Sequence, residues 1–376
     1  MTEKGSIRKR TLIGLAIVAV VVGACTGGGG ATTAPSAASS APSTAAPSTG
    51  ASPDASAGAG GYHIGVSNTV AGNGWREEMI CSIRAQALKS GEVTKLTVAH
   101  RNTDAAGQLE DLRNLIAADV NAIIVNPNSP DAVNAALDEA IAKGITVIAV
   151  DQAVTAEGAY LMANNQEEYG YLGAKWLFEQ LGGSGNVVYM RGAAGATADT
   201  DRDTGFKRAV GEFPGITVVS ETQTGWDQAQ GVEQINAFLA TAADFDGVWT
   251  SGIDNVIVDQ LKTAGKLVPI VGADNAGFVQ QLLTEEGLTG AAVTNPASVG
   301  GAGVTLALQI LGGQAPADPA VLVNPEVWDN VTPEGKAKLT EANDPDIDAT
   351  WPLGISIPDW TTYSKDEILA CKGPGE

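Results

Sequence analysis

Residues 145–152 read ITVIAVDQ, a run from Ile145 to Val150 that is apolar except for Thr146 and is closed by Asp151 and Gln152. A strand of this composition has no polar face, which is what a strand covered by helices on both sides requires. Open parallel sheets take their ligands at the carboxyl ends of the strands, where Asp151 and Gln152 fall. The same arrangement repeats in both directions. Strands are expected at Tyr62–Ser67, Leu96–Ala99, Ala122–Val125, Asn186–Met190, Ile216–Ser220, Gly247–Thr250 and Val268–Gly272, with helical stretches between them. In the first of these, Trp75, Met79, Ile80, Ile83, Ala87 and Leu88 make an apolar stripe at helical spacing. Ser129-Pro130-Asp131 has the form of a helix start, an N-cap followed by Pro at the first helical position. Two successive blocks of βα units predict an α/β protein with two doubly wound parallel-sheet lobes. Beyond Leu288, GLTGAAVT, a helix over Val299–Leu311 and a strand over Ala320–Val323 are expected to cross back between the lobes.

The beginning of the chain is of another kind. Lys4, Arg8, Lys9 and Arg10 precede an apolar stretch from Leu12 to Val22, and Gly23-Ala24-Cys25 follows. The stretch is well short of the roughly 20 residues a spanning helix needs, and its flanks have the shape of a lipoprotein signal peptide. Residues 1–24 are therefore expected to be removed, leaving Cys25 lipidated on the extracytoplasmic face of the cell membrane. Residues 25–61 carry one charge, Asp54, and little that can be buried, as expected of a flexible linker. Roughly 36 residues of such chain reach about 30–35 Å on average. The formal charge of −21 argues against nucleic acid as a partner, because phosphate binding needs clustered Lys and Arg. With Cys25 committed to lipid, Cys81 and Cys371 form an even pair in an oxidising compartment. A disulfide between them is the natural expectation, and two independent buried thiols the alternative.

Polar residues gather behind the strands: Ser67-Asn68 and Asn73 to Arg76, then Asp151-Gln152, Asp199 to Arg202, Asp274-Asn275 and Thr294-Asn295. Asp, Asn and Arg make paired hydrogen bonds to vicinal hydroxyls, and Trp covers the apolar face of a sugar ring. Each of these residues taken singly has a plainer reading as a helix cap.

At these motifs a resemblance becomes specific. IGVSN followed by NGWR, QLEDLRNLIAADVNAIIVNP, GITVIAVD, NVVYMRGAAGATADTDRDTGFKRAV and VPIVGADN together resemble the ribose/galactose type of periplasmic sugar-binding proteins of ABC transporters, over nearly all of Tyr62 to Val323. The resemblance implies a type I periplasmic-binding-protein fold, with two lobes joined by a three-segment hinge and a sugar held between them. It implies an N-terminal lobe of residues 62–163 with 296–323 returning to it, and a C-terminal lobe of 164–295. Residues 324–376 are expected to pack as a tail on the N-terminal lobe. Ligand contacts carry over to Ser67, Asn73, Trp75, Arg76, Asp151, Gln152, Arg202 and Asp274, with Asp254 and Asn295 (or Thr294) as further candidates. Trp75-Arg76 is similar to the galactofuranose-type branch, whereas Gln152 stands where the family often carries Arg.

Other functions find less support. His63 and His100 have no nucleophile elbow to serve, so no catalytic residues are expected. Asp199, Asp201 and Asp203 imitate the start of a calcium loop, but Gly205 falls at its seventh position and Val210 at its twelfth. No metal or cofactor is expected, and the chain is expected to be a monomer. The function implied is delivery of a monosaccharide or related polyol to an ABC permease. The alternative is a sensor that presents its ligand to a membrane signalling receptor, and a transcription regulator is disfavoured because no basic helix-turn-helix precedes Tyr62.

Overall fold

A computed structural model describes residues Gly60–Glu376. The signal peptide, the lipidated Cys25 and nearly all of the linker expected above lie outside the described residues.

Through the first lobe the elements run β1 (Tyr62–Asn68), α1 (Gly74–Ser90), β2 (Val93–His100), α2 (Ala105–Ala117), β3 (Ala122–Asn126), α3 (Asn134–Ala142), β4 (Thr146–Val150) and β5 (Tyr160–Asn164). Then come α4 (Gln166–Gln180), β6 (Ser184–Arg191), α5 (Thr197–Glu212), β7 (Gly215–Gln223), α6 (Gln228–Ala240) and β8 (Gly247–Trp249). The second lobe continues with α7 (Asp254–Thr263), β9 (Ile270–Ala273), α8 (Ala276–Thr284) and β10 (Gly290–Val293). The chain ends with α9 (Val299–Leu311), β11 (Ala320–Val323), β12 (Val327–Asp329), α10 (Pro333–Ala342) and α11 (Lys365–Ala370).

Two six-stranded sheets result, ordered β11-β5-β4-β3-β1-β2 and β12-β10-β9-β8-β6-β7. Every pairing is parallel except that of β12, which lies antiparallel along β10. Strand β4 shows why its sequence is apolar throughout. Ile148 and Val150 pack under α1 and α9 with Ile64, Val66 and Met79, while Val147 and Ala149 face the opposite layer of Leu112, Leu115 and Leu137. In the second sheet Val187 and Tyr189 face α4 and α5, and Val188 and Met190 face α6, α7 and α8.

In both sheets the order reverses beside the first strand, so each has its switch point between β1 and β3 or between β6 and β8. The carboxyl ends of the two sheets meet across a cleft. The chain passes from lobe to lobe between Asn164 and Gln166, between Val293 and Val299, and between Val323 and Val327.

Several expectations need adjustment. Strand β5 is additional to those read from the sequence. β10 is a full member of the second sheet, and only the residues that follow it cross between lobes. Ser129 accepts from the Ala132 amide and caps a separate turn, and α3 begins later at Asn134, whose amide bonds back to the Asp131 carbonyl. Helix α5 starts at Thr197, so Asp199 and Arg202 stand on a helix face and not on the loop before it. The tail expected on the N-terminal lobe is divided: β12 and α10 pack on the C-terminal sheet and α8, and the N-terminal lobe receives only the later residues. Cys81 and Cys371 are joined in a disulfide, fixing α11 against α1.

Candidate ligand-binding site

The cleft between the sheets has a volume of about 850 Å³. Its N-terminal wall begins with the turn after β1. Asn73 caps α1 by accepting from the Arg76 amide at 3.2 Å, and this sets the helix so that Trp75 and Arg76 face the cleft. Arg76 is 7 % exposed, donates to Asn68 Oδ1 at 2.9 Å and stands 3.6 Å from the Asp151 carboxylate. Burial lowers the Arg76 pKa from its ordinary value, and Asp151 partly restores it. Asp151 has φ +65°, a left-handed backbone that Asp tolerates better than most residues and that recurs at functional sites. Its Oδ2 also accepts from Asn126 at 3.3 Å, and its Oδ1 from Gln166 at 3.3 Å.

Gln166, at the start of α4 just past the first crossing, ties the two walls together. Its Nε2 donates to Asn295 Oδ1 at 3.1 Å as well as to Asp151, and its Oε1 accepts from Arg202 Nε at 2.7 Å. The Arg202 guanidinium lies 4.1 Å from the Tyr169 ring centroid and 5.9 Å from that of Trp226, a cation held over aromatic rings on the C-terminal wall. Trp226 itself has φ +57°, and Gly192 is bare beneath it because a Cβ there would overlap the indole. Opposite, Trp75 Nε1 donates to the Asn295 carbonyl at 2.7 Å. Gln152 bridges the cleft, donating to Asn126 Oδ1 at 3.1 Å and accepting from the Thr197 amide at 3.1 Å. Among the described residues, buried Trp226 Nε1 and Ser251 Oγ find no hydrogen-bond partner, and both residues line the cleft.

The candidates divide accordingly. Asn73, Trp75, Arg76, Asp151, Gln152, Arg202 and Asn295 line the cleft. Ser67 is buried behind it, accepting from Gln108. Asp254 does not line it either: its carboxylate accepts from the Gly252 and Ala273 amides and holds the ends of β8 and β9 together. A Cβ on Gly272 would overlap that carboxylate, so glycine makes room for it. Asp274, fully buried, accepts from the Asn295 amide at 3.0 Å and so positions the second crossing. Thr294 bonds to the Glu326 amide and ties the second crossing to the third. Asp199 and Asp203, the calcium-loop imitators, pair with Arg191 at 2.7 and 3.4 Å.

Sequence reasoning missed Gln166, Asn126 and Trp226. Asn126 is the last residue of β3, at the same carboxyl edge of the sheet as Asp151 after β4, and the rule that found Asp151 finds it. Trp226 follows the edge strand β7 in a Gly-Trp pair, an apolar ring in an otherwise polar loop. Gln166 has no such signal, since it opens a helix beyond an unexpected strand.

Three carboxyls near the cleft are buried. Burial raises Asp254 to about 7 and Asp274 to about 6, and it raises Glu78 on α1 well above its ordinary value, with Asp274 adding to the effect. Neither Glu78 oxygen has a hydrogen-bond partner among the described residues. A carboxyl kept protonated by the fold costs stability as pH rises from its unfolded pKa of about 4.3 towards the folded value. Glu78→Gln removes that dependence. Its melting temperature relative to the native protein is expected to rise between pH 4.5 and pH 8, and a difference constant over that range would show that Glu78 is ionised in the fold.

The periplasmic binding protein domain model matches residues 64–315, and the chain belongs to that family. The ribose import binding protein of Bacillus subtilis is 23% identical over 256 residues, covering 67% of this chain and 83% of its own. The xylitol-binding protein of Mycolicibacterium smegmatis is 28% identical over 238 residues, covering 61% and 68%. A solute-binding protein of an ABC transporter from Bacillus halodurans, solved with bound myo-inositol, superposes with a TM-score of 0.67 at 23% identity, covering 75% of this chain and 98% of its own. A galactofuranose-binding protein gives the same TM-score at 19% identity, covering 74% of this chain and 98% of its own. The fold is thus that of the type I periplasmic binding proteins.

Proposed function

We propose that this protein is the extracytoplasmic substrate-binding component of an ABC transporter, closing on a monosaccharide or related polyol and delivering it to a membrane permease. The observation that carries this reading is the continuous polar network from Arg76 and Asp151 through Gln166 to Arg202 and Asn295, flanked by Trp75 and Trp226. It joins both lobes and one crossing segment, so a ligand bonded to it favours the closed state by the difference in contacts between open and closed. Charged donors and acceptors on both sides suit vicinal hydroxyls, and indoles suit the C–H faces of a ring. Relatives named for ribose, xylitol and D-apiose support the ligand class. Ligand contacts are assigned to Trp75, Arg76, Asp151, Gln152, Arg202, Trp226 and Asn295. Lipidation at Cys25 would hold this receptor within reach of its permease, and monomeric binding suffices for the mechanism.

A thermal-shift panel of pentoses, hexoses, pentitols and inositols tests the reading. A ligand at 100 times its dissociation constant adds about 2.7 kcal/mol, expected as an upward shift in melting temperature for one stereochemical group of the panel. The absence of any shift across sugars and polyols would refute it.

A further inference from the structure

The chain crosses between the lobes a fourth time, beyond the matched family domain. After α10 it lies along the C-terminal lobe: the Gly277 and Ala276 amides donate to the Ala349 and Trp351 carbonyls at 3.0 and 2.9 Å, and the Leu353 amide donates to the Asp274 carbonyl at 2.9 Å. One residue later it is held by the N-terminal lobe. Ser298 Oγ, at the foot of α9, bonds to the Gly354 and Ile355 carbonyls at 3.1 and 2.5 Å. Thr305 Oγ1 then bonds to the Trp360 carbonyl at 2.7 Å, and the Thr362 amide donates to Gln86 Oε1 on α1 at 2.9 Å. The end is fixed covalently to α1 through Cys371 and Cys81.

The packing at this crossing is tight on both sides. Trp351 and Ile355 touch the core beneath α7 and α8 and also the small cluster formed by Cys81 and Ala85 of α1 with Tyr363 and with Ile368 of α11. A Cβ on Gly354 would lie 3.0 Å from Pro296 Cβ and 3.2 Å from Asp274 Oδ2, so the segment runs close against the second crossing and a side chain there would push its neighbours aside by a few tenths of an ångström. A Cβ on Gly74 would overlap Thr350, which lines the cleft together with Gly74 of one lobe and Asn275 of the other.

We propose that residues 348–363 are an interlobe strap, locked at its far end by the disulfide, which limits how far the lobes open. Rotation about the three family crossings must stretch or peel a segment hydrogen-bonded to both lobes within two residues of its own crossing. Restricting the open state raises the fraction of binding-competent molecules, and apparent affinity rises in proportion. That consequence rests on the hinge-closure reading given above, whereas the opening amplitude needs no ligand to measure.

The test is the distance distribution between spin labels on noncanonical side chains at exposed Lys95 and Lys266, one per lobe, in the unliganded full-length protein. The strap is released by combining Ser298→Ala with a protease site at exposed Ser356, between the part held by the C-terminal lobe and the part held by α9 and α1, cut after folding. Release is expected to lengthen and broaden the distribution. Ser298→Ala, which removes only the two bonds at the crossing, is expected to do the same to a smaller extent and covers the case in which the released protein fails to melt cooperatively. Unchanged distributions in folded released protein, or in Ser298→Ala if release unfolds it, would overturn the proposal. Either result is independent of whether any sugar binds.

Discussion

Replacing Asp151 by alanine is expected to weaken sugar binding by roughly 30- to 5,000-fold, because truncating one member of a buried hydrogen-bonded charge pair costs about 2–5 kcal/mol. The loss has two parts. On the proposed assignment a ligand hydroxyl loses a charged acceptor, worth about 1.5–3 kcal/mol. Arg76, 7 % exposed, loses its counter-ion and keeps only the neutral Asn68 acceptor. Gln166 is freed from Asp151 as well, so the orientation of Arg202 on the other lobe relaxes. Asp151→Asn preserves shape and is expected to weaken binding less, by roughly tenfold, as a charged hydrogen bond becomes neutral. Isothermal titration of both variants beside the native protein checks this. Affinity within threefold of native for Asp151→Ala would move the site away from this network.

The second large effect is on stability. Helices α4 and α5 approach until backbone meets backbone: a Cβ on Gly205 would overlap the Glu167 carbonyl, and one on Gly170 would overlap the Arg202 carbonyl. Gly205→Val is therefore expected to cost about 3 kcal/mol or more, since a backbone neighbour cannot rotate aside as a side chain can. At roughly 1.5 °C per kcal/mol for a folded chain of this length, the melting temperature is expected to fall by about 4–5 °C or more. Ligand affinity should fall with it, because α5 carries Arg202. Gly211 on the same helix is the control. Nothing lies within 4 Å of a Cβ there, and Gly211→Ala is expected to stabilise by about 0.5–1 kcal/mol through helix propensity. Thermal melts of the two variants decide whether the close helix contact is as rigid as its geometry requires.

What the sequence made legible follows from local physics. Ile145–Val150 declared a strand buried on both faces, and the alternation around it declared two parallel sheets, because burial pattern and helix spacing are written in consecutive residues. Polar residues behind strands marked Arg76, Asp151, Gln152 and Arg202 for the same reason. Strand β5, YLMAN at Tyr160–Asn164, was missed because its polar ends and short apolar centre resemble a loop. With it went Gln166, whose role depends on side chains from three distant parts of the chain. Asp254 and Asp274 look alike in sequence, each a carboxylate near the end of a strand. Only the folded chain shows one bonded to the amides joining β8 and β9 and the other to the amide of the second crossing. The division of the tail between the lobes was likewise out of reach, being set by an antiparallel pairing of β12 with β10 and by the disulfide at its far end.

In the proposed mode of action a sugar or polyol is held between the lobes by groups from both. Trp75 and Trp226 line opposite walls of the cleft, so the protein's own fluorescence reports on its occupancy. The decisive measurement is a titration of native protein, Asp151→Ala and Arg202→Ala with the compound giving the largest thermal shift. Saturable, one-to-one quenching or blue shift is expected in the native protein, lost over the same concentration range in both variants although they lie on different lobes. Loss in only one variant, or a full response in both, would contradict a ligand bridging the cleft.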